Sequence, residues 1–328
     1  MRLVSAGILL MATSLTATWA ADNKGKKDDP SQIGNRDVGG FNCYSIDQEI
    51  AMGKQLAGEV QRQAKMMDDP IITEFVNRVG QNLARNSDAK VPFTFHVIDD
   101  PTLNAFALPG GYVFVNAGLL TSAETEAEMA SAMAHEIAHV AARHMTRQAC
   151  RAKVANFATL PLIFLGGWGG YAARQAASAA IPMTFLSFSR GFEAEADYLG
   201  LQYLYAAGYD PTAAVDMFEK MMSLQNRKPG SIAKVFSTHP MDEDRLKKAQ
   251  AEIQTILPAK AEYVVNTSEY TAVRGRLLDI ENQRKMRAVE GSHKGPVLRR
   301  APGSGVPAEP GNDAGDDRPT IKRRDFTE

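Results

Sequence analysis

The sequence predicts an α+β fold that is mostly helical and carries one small β-sheet with an open edge. Three stretches of its 328 residues support that reading. Residues 123–145 are rich in Ala, Glu and Met, with no Gly or Pro to interrupt a helix. Ile72, Phe75, Val76, Val79 and Leu83 recur at the helical period behind Asp69-Pro70, a cap followed by proline in the first turn. Phe93, Phe95 and Val97 alternate with Thr94 and His96, the period of a half-buried strand, and a second extended region, 104–116, bends at Pro109-Gly110-Gly111.

In chain order, residues 1–20 read as a secretory signal peptide. Met1-Arg2 is a basic start, an apolar run follows, and Thr18 and Ala20 are small residues before a cleavage point at Ala21. Residues 21–44 are polar and read as a flexible lead-in. A folded domain is expected over 45–257. Its first helix starts at Ser45, with Gln48 completing a capping box, and runs to about residue 66. The strand region comes next. Proline cannot donate to a ladder, so Pro109 marks a turn or a sheet edge, and 107–115 is a candidate edge to which a substrate peptide adds as a strand. His96, opposite the phenylalanines on its strand, reads as an exposed polar residue.

Residues 154–173 lack charge, and apolar character continues to about 188 across several glycines and Pro182. Two readings stay open: a pair of helices over a cleft or against a membrane or partner surface, and a buried helical hairpin. A helix from Ser189 should end at Gly208, with the next opening at Asp210-Pro211. Residues 258–290 read as an extension with a polar helix, and 291–328, rich in Pro, Gly and charge, as a disordered tail. Cys43 and Cys150 are the only cysteines, either one disulfide or two separate buried thiols. A net charge of −1 gives no reason to expect a nucleic-acid partner.

The chemistry concentrates in His135-Glu136-Ile137-Ala138-His139. On a helix His135 and His139 share a face, where two neutral imidazoles can hold one divalent ion, with Zn²⁺ the leading candidate. Glu136 points about 100° round the axis, beside the metal, where it can take a proton from bound water. A third protein ligand is needed. The extended motif that supplies a histidine wants Gly at position 142 and His at 145, where Ala142 and Met145 stand; His144 is one residue off. A glutamate from a following helix is the better choice. In Ser189-Arg190-Gly191-Phe192-Glu193-Ala194-Glu195-Ala196-Asp197, Glu193 and Asp197 share a face. Glu193 is then the ligand, and Asp197 the acceptor for the N–H of a ligating imidazole. Glu195 falls on the other side and reads as solvated.

Four motifs in order resemble peptidase family 48 of the metallopeptidases. They are His135–His139, Asn104-Ala105-Phe106-Ala107-Leu108-Pro109-Gly110-Gly111, the 189–197 segment, and Ser237-Thr238-His239-Pro240 with Arg245. The resemblance spans roughly 45–257 and is nearest the periplasmic BepA-like branch, without that branch's helical repeats. It implies a zincin-like (gluzincin) domain, one zinc per chain held by His135, His139 and Glu193, and endoproteolysis with Glu136 as base and Asp197 behind a ligand. It also implies periplasmic polypeptide substrates, such as misfolded or unassembled envelope proteins, and leaves peripheral membrane contact through 154–188 as an option. For His239 it implies a catalytic-site role in one of two forms: a latch on the open zinc position, or a donor to the oxyanion.

Overall fold

Ser45 starts the first helix as its sequence dictates. Its hydroxyl accepts from the Gln48 N–H, and the Gln48 side chain accepts from the Ser45 N–H. In the computed structural model, which describes residues 28–163, 188–227, 239 and 242–292, this helix, α1, spans Ile46–Gln63. Helix α2, Pro70–Arg85, opens behind Asp69, whose carboxylate accepts from the N–H groups of Ile71 and Ile72. Its face of Ile72, Phe75, Val76, Val79 and Leu83 is buried, as the periodicity requires.

The sheet has three strands in the order β1-β3-β2: β1 Thr94–Ile98, β2 Ala105–Leu108 and β3 Tyr112–Asn116. β3 runs parallel to β1, with Thr94 opposite Tyr112, and antiparallel to β2, with Ala105 opposite Val115. The candidate edge 107–115 is thereby corrected. Of that segment only the β2 part has a free side, whereas Tyr112 of β3 lies inside the sheet, between Leu108 and Thr94. Alternation identifies strands but not which of them is central. The Pro109–Gly111 corner carries positive φ at Gly110 (73°) and Gly111 (91°) and lies against α1. A Cβ on Gly53 of α1 would sit 1.7 Å from the Pro109 carbonyl oxygen, so glycine is required there.

After the short α3, Ala117–Ser122, comes the central helix α4, Glu126–Ala141, capped by Thr125. Met129, Ala130, Met133, Ala134, Ile137 and Ala138 are all fully buried in the main core. The uninterrupted helix expected over 123–145 is not what forms. The chain breaks after Ala141, Arg143 takes φ 58°, and α5, His144–Ile163, starts afresh. Neither Gly nor Pro marks this break; contacts distant in sequence hold it. Arg143 Nε lies 2.8 Å from Glu49 Oε1, and its Nη2 donates to the Tyr44 carbonyl.

Helix α6, Arg190–Ala206, is capped by Ser189 and ends before Gly208 at φ 95°, as read from the sequence. Helices α7, Thr212–Arg227, and α8, Glu243–Ile256, follow, and then α9, Ser268–Ser292.

Two expected extensions belong to the packed domain. From residue 28 the lead-in is tied down: Arg36, 2% exposed, reaches both Asp88 oxygens and Gln202 Oε1, and Tyr203 donates to the same Asp88. Cys43 is bonded to Cys150 of α5, which decides between the two readings of the cysteines. At the other end, Tyr270, Val273 and Leu277 of α9 are core residues, and Tyr270 donates to the carbonyls of Leu120 and Ala123. One compact unit ends at Asn282; of the second, Gln283–Glu328, the structure describes the continuation of α9 to Ser292. The expected signal peptide, most of the 154–188 segment and the expected tail beyond 292 lie outside the described residues. Among the described residues no helix is long and apolar enough to cross a membrane.

Candidate metal centre

α4 and α6 cross with almost no space between them. A Cβ on Gly200 would lie 3.2 Å from the Cα and N of His135, so the two backbones meet at the first motif histidine. That approach carries Glu193 and Asp197, earlier on α6, to the histidines of α4. His135 Nε2 and His139 Nε2 stand 3.0 Å apart, and Glu193 lies 3.5 Å from the first and 3.6 Å from the second. His239 completes the group: its Nδ1 is 3.0 Å from Glu193 Oε1 and 3.4 Å from His135 Nε2. One ligand atom from each of the four falls within 4.8 Å of all the others. Glu136 stands beside the cluster, with Oε1 3.4 Å from His239 Nε2.

Asp197 Oδ1 is 3.0 Å from His135 Nδ1, a close ionic contact whose angle falls short of a hydrogen bond. Its two oxygens also accept from Arg245 Nε and Nη2, each at 2.7 Å, and Arg245 Nη1 lies 3.0 Å from Glu193. One planar guanidinium therefore holds Glu193 and Asp197 in place together.

The site's electrostatics follow from burial set against charge. Burial lowers the His135 pKa, but Asp197 and Glu193 outweigh it and hold the imidazole up at about 10. Burial and the positive neighbours push His139 well down, which leaves it neutral and able to ligate. Burial would raise Glu193, yet its bonds to His135 and His239 keep it well below the usual carboxylate range. Glu136 is pushed up chiefly by burial, opposed by His239, His135 and the Ala107 N–H. A carboxylate with raised proton affinity suits a base. The donor set is thus two imidazoles and a carboxylate in net negative surroundings, which fits a divalent cation.

All six residues expected at the site are brought together: His135, Glu136, His139, Glu193, Asp197 and His239. Two further residues that the sequence places off the site, His144 and Glu195, join it. His144, fully buried, places Nδ1 2.9 Å from His139 Nδ1. Glu195, expected on a solvated face, takes His144 Nε2 at 3.2 Å and Arg147 Nη1 at 2.9 Å. Helical spacing could not reveal them, because the break at 142–143 redirects His144. His96 stays away from the site, half-buried on Phe114 and bonded to Gln61.

A model of peptidase family M48 matches residues 70–253, which include the motif helix, Glu193, Asp197 and Arg245. The chain belongs to peptidase family M48. It is 33% identical over 251 residues to the beta-barrel assembly-enhancing protease of Escherichia coli (strain K12), covering 73% of this chain and 50% of that protein. The putative beta-barrel assembly-enhancing protease of Vibrio cholerae is 31% identical over 260 residues, 77% of this chain and 53% of its own. The mitochondrial metalloendopeptidase OMA1 of Schizosaccharomyces pombe is 33% identical over 215 residues, 64% of this chain and 62% of its own. The chain spans about half the length of the bacterial relatives it matches.

Proposed function

We propose that the chain is a zinc-dependent endopeptidase that cleaves polypeptides in the periplasm, in the quality control of envelope proteins. The observation that carries this is the spacing of the donor atoms. A tetrahedral zinc with bonds of about 2.0–2.1 Å separates its ligands by about 3.3 Å. Five of the six pairs among the donors of His135, His139, Glu193 and His239 lie between 3.0 and 3.6 Å, taking the nearer Glu193 oxygen, and all four donors fall within 4.8 Å of one another. In this reading His135, His139 and Glu193 would hold the zinc, and His239, close enough to reach the same ion, would act as a latch that moves aside to admit water and substrate.

When bound, the zinc polarises the scissile carbonyl and acidifies a water. Glu136 takes the proton from that water and delivers it to the leaving amine. Asp197, held by Arg245, orients His135. β2 receives the substrate. Its Asn104 carbonyl accepts from the Asn116 N–H, so by the alternation of an antiparallel ladder Ala105 and Ala107 turn their backbone groups to the free edge, towards Glu136. A chain added antiparallel to β2 runs from Leu108 towards Ala105. Residues beyond the cleaved bond then meet an open cleft lined by Leu103, Leu119, Met217, Phe218 and Met221. That lining favours a large apolar side chain on the carboxyl side of the cut.

The names of the relatives, a protease and a metalloendopeptidase, support the reaction class. The test is metal analysis of the purified chain beside casein digestion with and without a chelator. One zinc per chain and chelator-sensitive cleavage are expected; cleavage indifferent to zinc removal would refute the reading.

A further inference from the structure

Each ligating histidine must offer one nitrogen to the metal and settle the proton on the other. For His135 the second nitrogen faces Asp197. The second nitrogen of His139, Nδ1, faces another imidazole instead, His144 Nδ1, at 2.9 Å. With His139 Nε2 turned to the metal, Nδ1 must carry the proton, so His144 Nδ1 accepts. His144 then carries its own proton on Nε2, which faces Glu195 Oε2 at 3.2 Å. Arg147 holds that carboxylate from the other side at 2.9 Å.

We propose that His144 is a positioning residue for the metal centre, an imidazole bridge that fixes the tautomer and ring orientation of His139 and hands its own orientation to Glu195. The inference rests on the metallopeptidase reading. The two ligating imidazoles are then braced by equivalent devices: Asp197 backed by Arg245 for His135, and Glu195 backed by Arg147, through His144, for His139.

The backbone supports a built arrangement. In a continuous helix His144 would lie five residues, about 140° round the axis, from His139 and could not reach its ring. The chain instead places Arg143, a residue with a Cβ, at φ 58°, a conformation such residues adopt at an energetic cost. That turn is held from outside the helix pair. Arg143 is bound by Glu49 and the Tyr44 carbonyl, Thr146 donates to the same Glu49, and the Cys43–Cys150 bond ties α5 to the 42–49 segment. Phe192 stacks on the His144 ring at 4.4 Å and Phe188 on the His139 ring at 4.2 Å, which covers the bridge from water. A residue present only to fill the core would not need both nitrogens engaged along one line.

The test compares zinc dissociation constants, read against a competing chromophoric chelator, and the melting temperature of the metal-free protein. His144→Leu removes the acceptor, and His144→Asn restores one near the Nδ1 position. Loss of a group that orients a ligand typically weakens metal affinity by about 10–100-fold. That loss is expected for His144→Leu, with most of it recovered in His144→Asn. Equal zinc affinity in His144→Leu and parent, or equal loss in Leu and Asn variants, would overturn the bridge and leave a packing role. Glu195→Ala, on a partly exposed side chain, is read independently should the Leu variant fail to fold. It should weaken zinc binding in the parent and add nothing in the His144→Leu background; an unchanged constant in the parent background overturns the proposal. A parent chain that binds no zinc at all would refute the metallopeptidase reading first, so the two failures are distinct.

Discussion

Replacing Gly200 by alanine should separate the stability of this fold from the alignment of its site. The added Cβ would stand 3.2 Å from the His135 Cα and N and 3.3 Å from the Ala134 carbonyl carbon. These are backbone atoms of α4, so no side chain can swing aside; the helices must part by roughly 0.4 Å to restore ordinary contact. Overpacking of this kind costs about 1–3 kcal/mol. Alanine in place of glycine inside a helix returns about 1 kcal/mol, and the net loss is about 0–2 kcal/mol. The site bears more. Asp197 and Glu193 lie three and seven residues before Gly200 on the same rigid helix, and His135 sits opposite it. The shift therefore opens the ligand set directly. Misplacement approaching 1 Å costs about 10²-fold in turnover, so a tenfold loss of zinc affinity and of kcat/KM is expected beside a small change in Tm. The assay is a zinc titration of the metal-free protein with a parallel thermal melt. A variant that melts higher, yet binds zinc and turns over like the parent, would show that the crossing has slack and that Gly200 does not set it.

Four further outcomes follow from the same geometry. Glu136→Gln should keep one zinc per chain and lose turnover by about 10²–10⁴-fold or more; near-normal cleavage would remove Glu136 from its role as base. His239→Ala should raise basal activity, since three donors remain and the fourth position opens; a lower kcat with zinc retained would instead make His239 the oxyanion donor. Met221→Lys, in the apolar cleft, should shift cleavage of a peptide library away from large apolar residues after the cut, and an unchanged preference would separate the cleft from specificity. Glu252 has an oxygen buried without a partner among the described residues, and burial, then the Asp197 charge, raises its pKa to about 7. The folded chain thus binds a proton that the unfolded chain releases, so this residue's contribution favours folding at low pH and is lost as pH rises towards and past 7. Glu252→Gln should therefore melt higher than the parent at pH 8 and alike at pH 5; the same difference at both pH values would count against it.

The signals legible in the sequence were local ones. The Ser45–Gln48 capping box, the Asp69-Pro70 start and the Gly208 stop depend on neighbouring residues, and each forms where the sequence places it. The motif histidines and the carboxylates of α6 were equally legible, because a metal site imposes spacing. Features made by distant contacts were not legible. Arg36 looks like part of a polar leader until Asp88, fifty-two positions away, meets it in the core. Tyr270, Val273 and Leu277 do follow a helical period, but three apolar residues in a polar helix carry too little weight without the groove they enter. The break at Arg143 has no residue signal at all, and it alone brings His144 to the site.

The charge balance around α4 and α6 explains why the extra cation is an arginine. Glu136, Glu193 and Asp197 are all buried, and Arg245 is the buried guanidinium that reaches two of them. With neutral imidazoles this group carries a net charge of about −2, which an interior of low effective dielectric does not tolerate unpaired. The same attraction appears at His135, whose pKa Asp197 and Glu193 raise to about 10 against the effect of burial. A divalent ion held there would cancel that charge, and His135 would have to give up its proton to ligate it, which couples metal binding to proton release. Without Arg245 the deficit would be three charges, one more than a single divalent ion supplies. Lysine would supply the charge as a point. It could not span both oxygens of Asp197 and still reach Glu193, as the planar guanidinium does at 2.7, 2.7 and 3.0 Å. The arginine would therefore leave a site with three carboxylates neutral once one divalent ion is held, and in the same geometry it fixes Glu193 against the His135–His139 pair and Asp197 against the His135 ring.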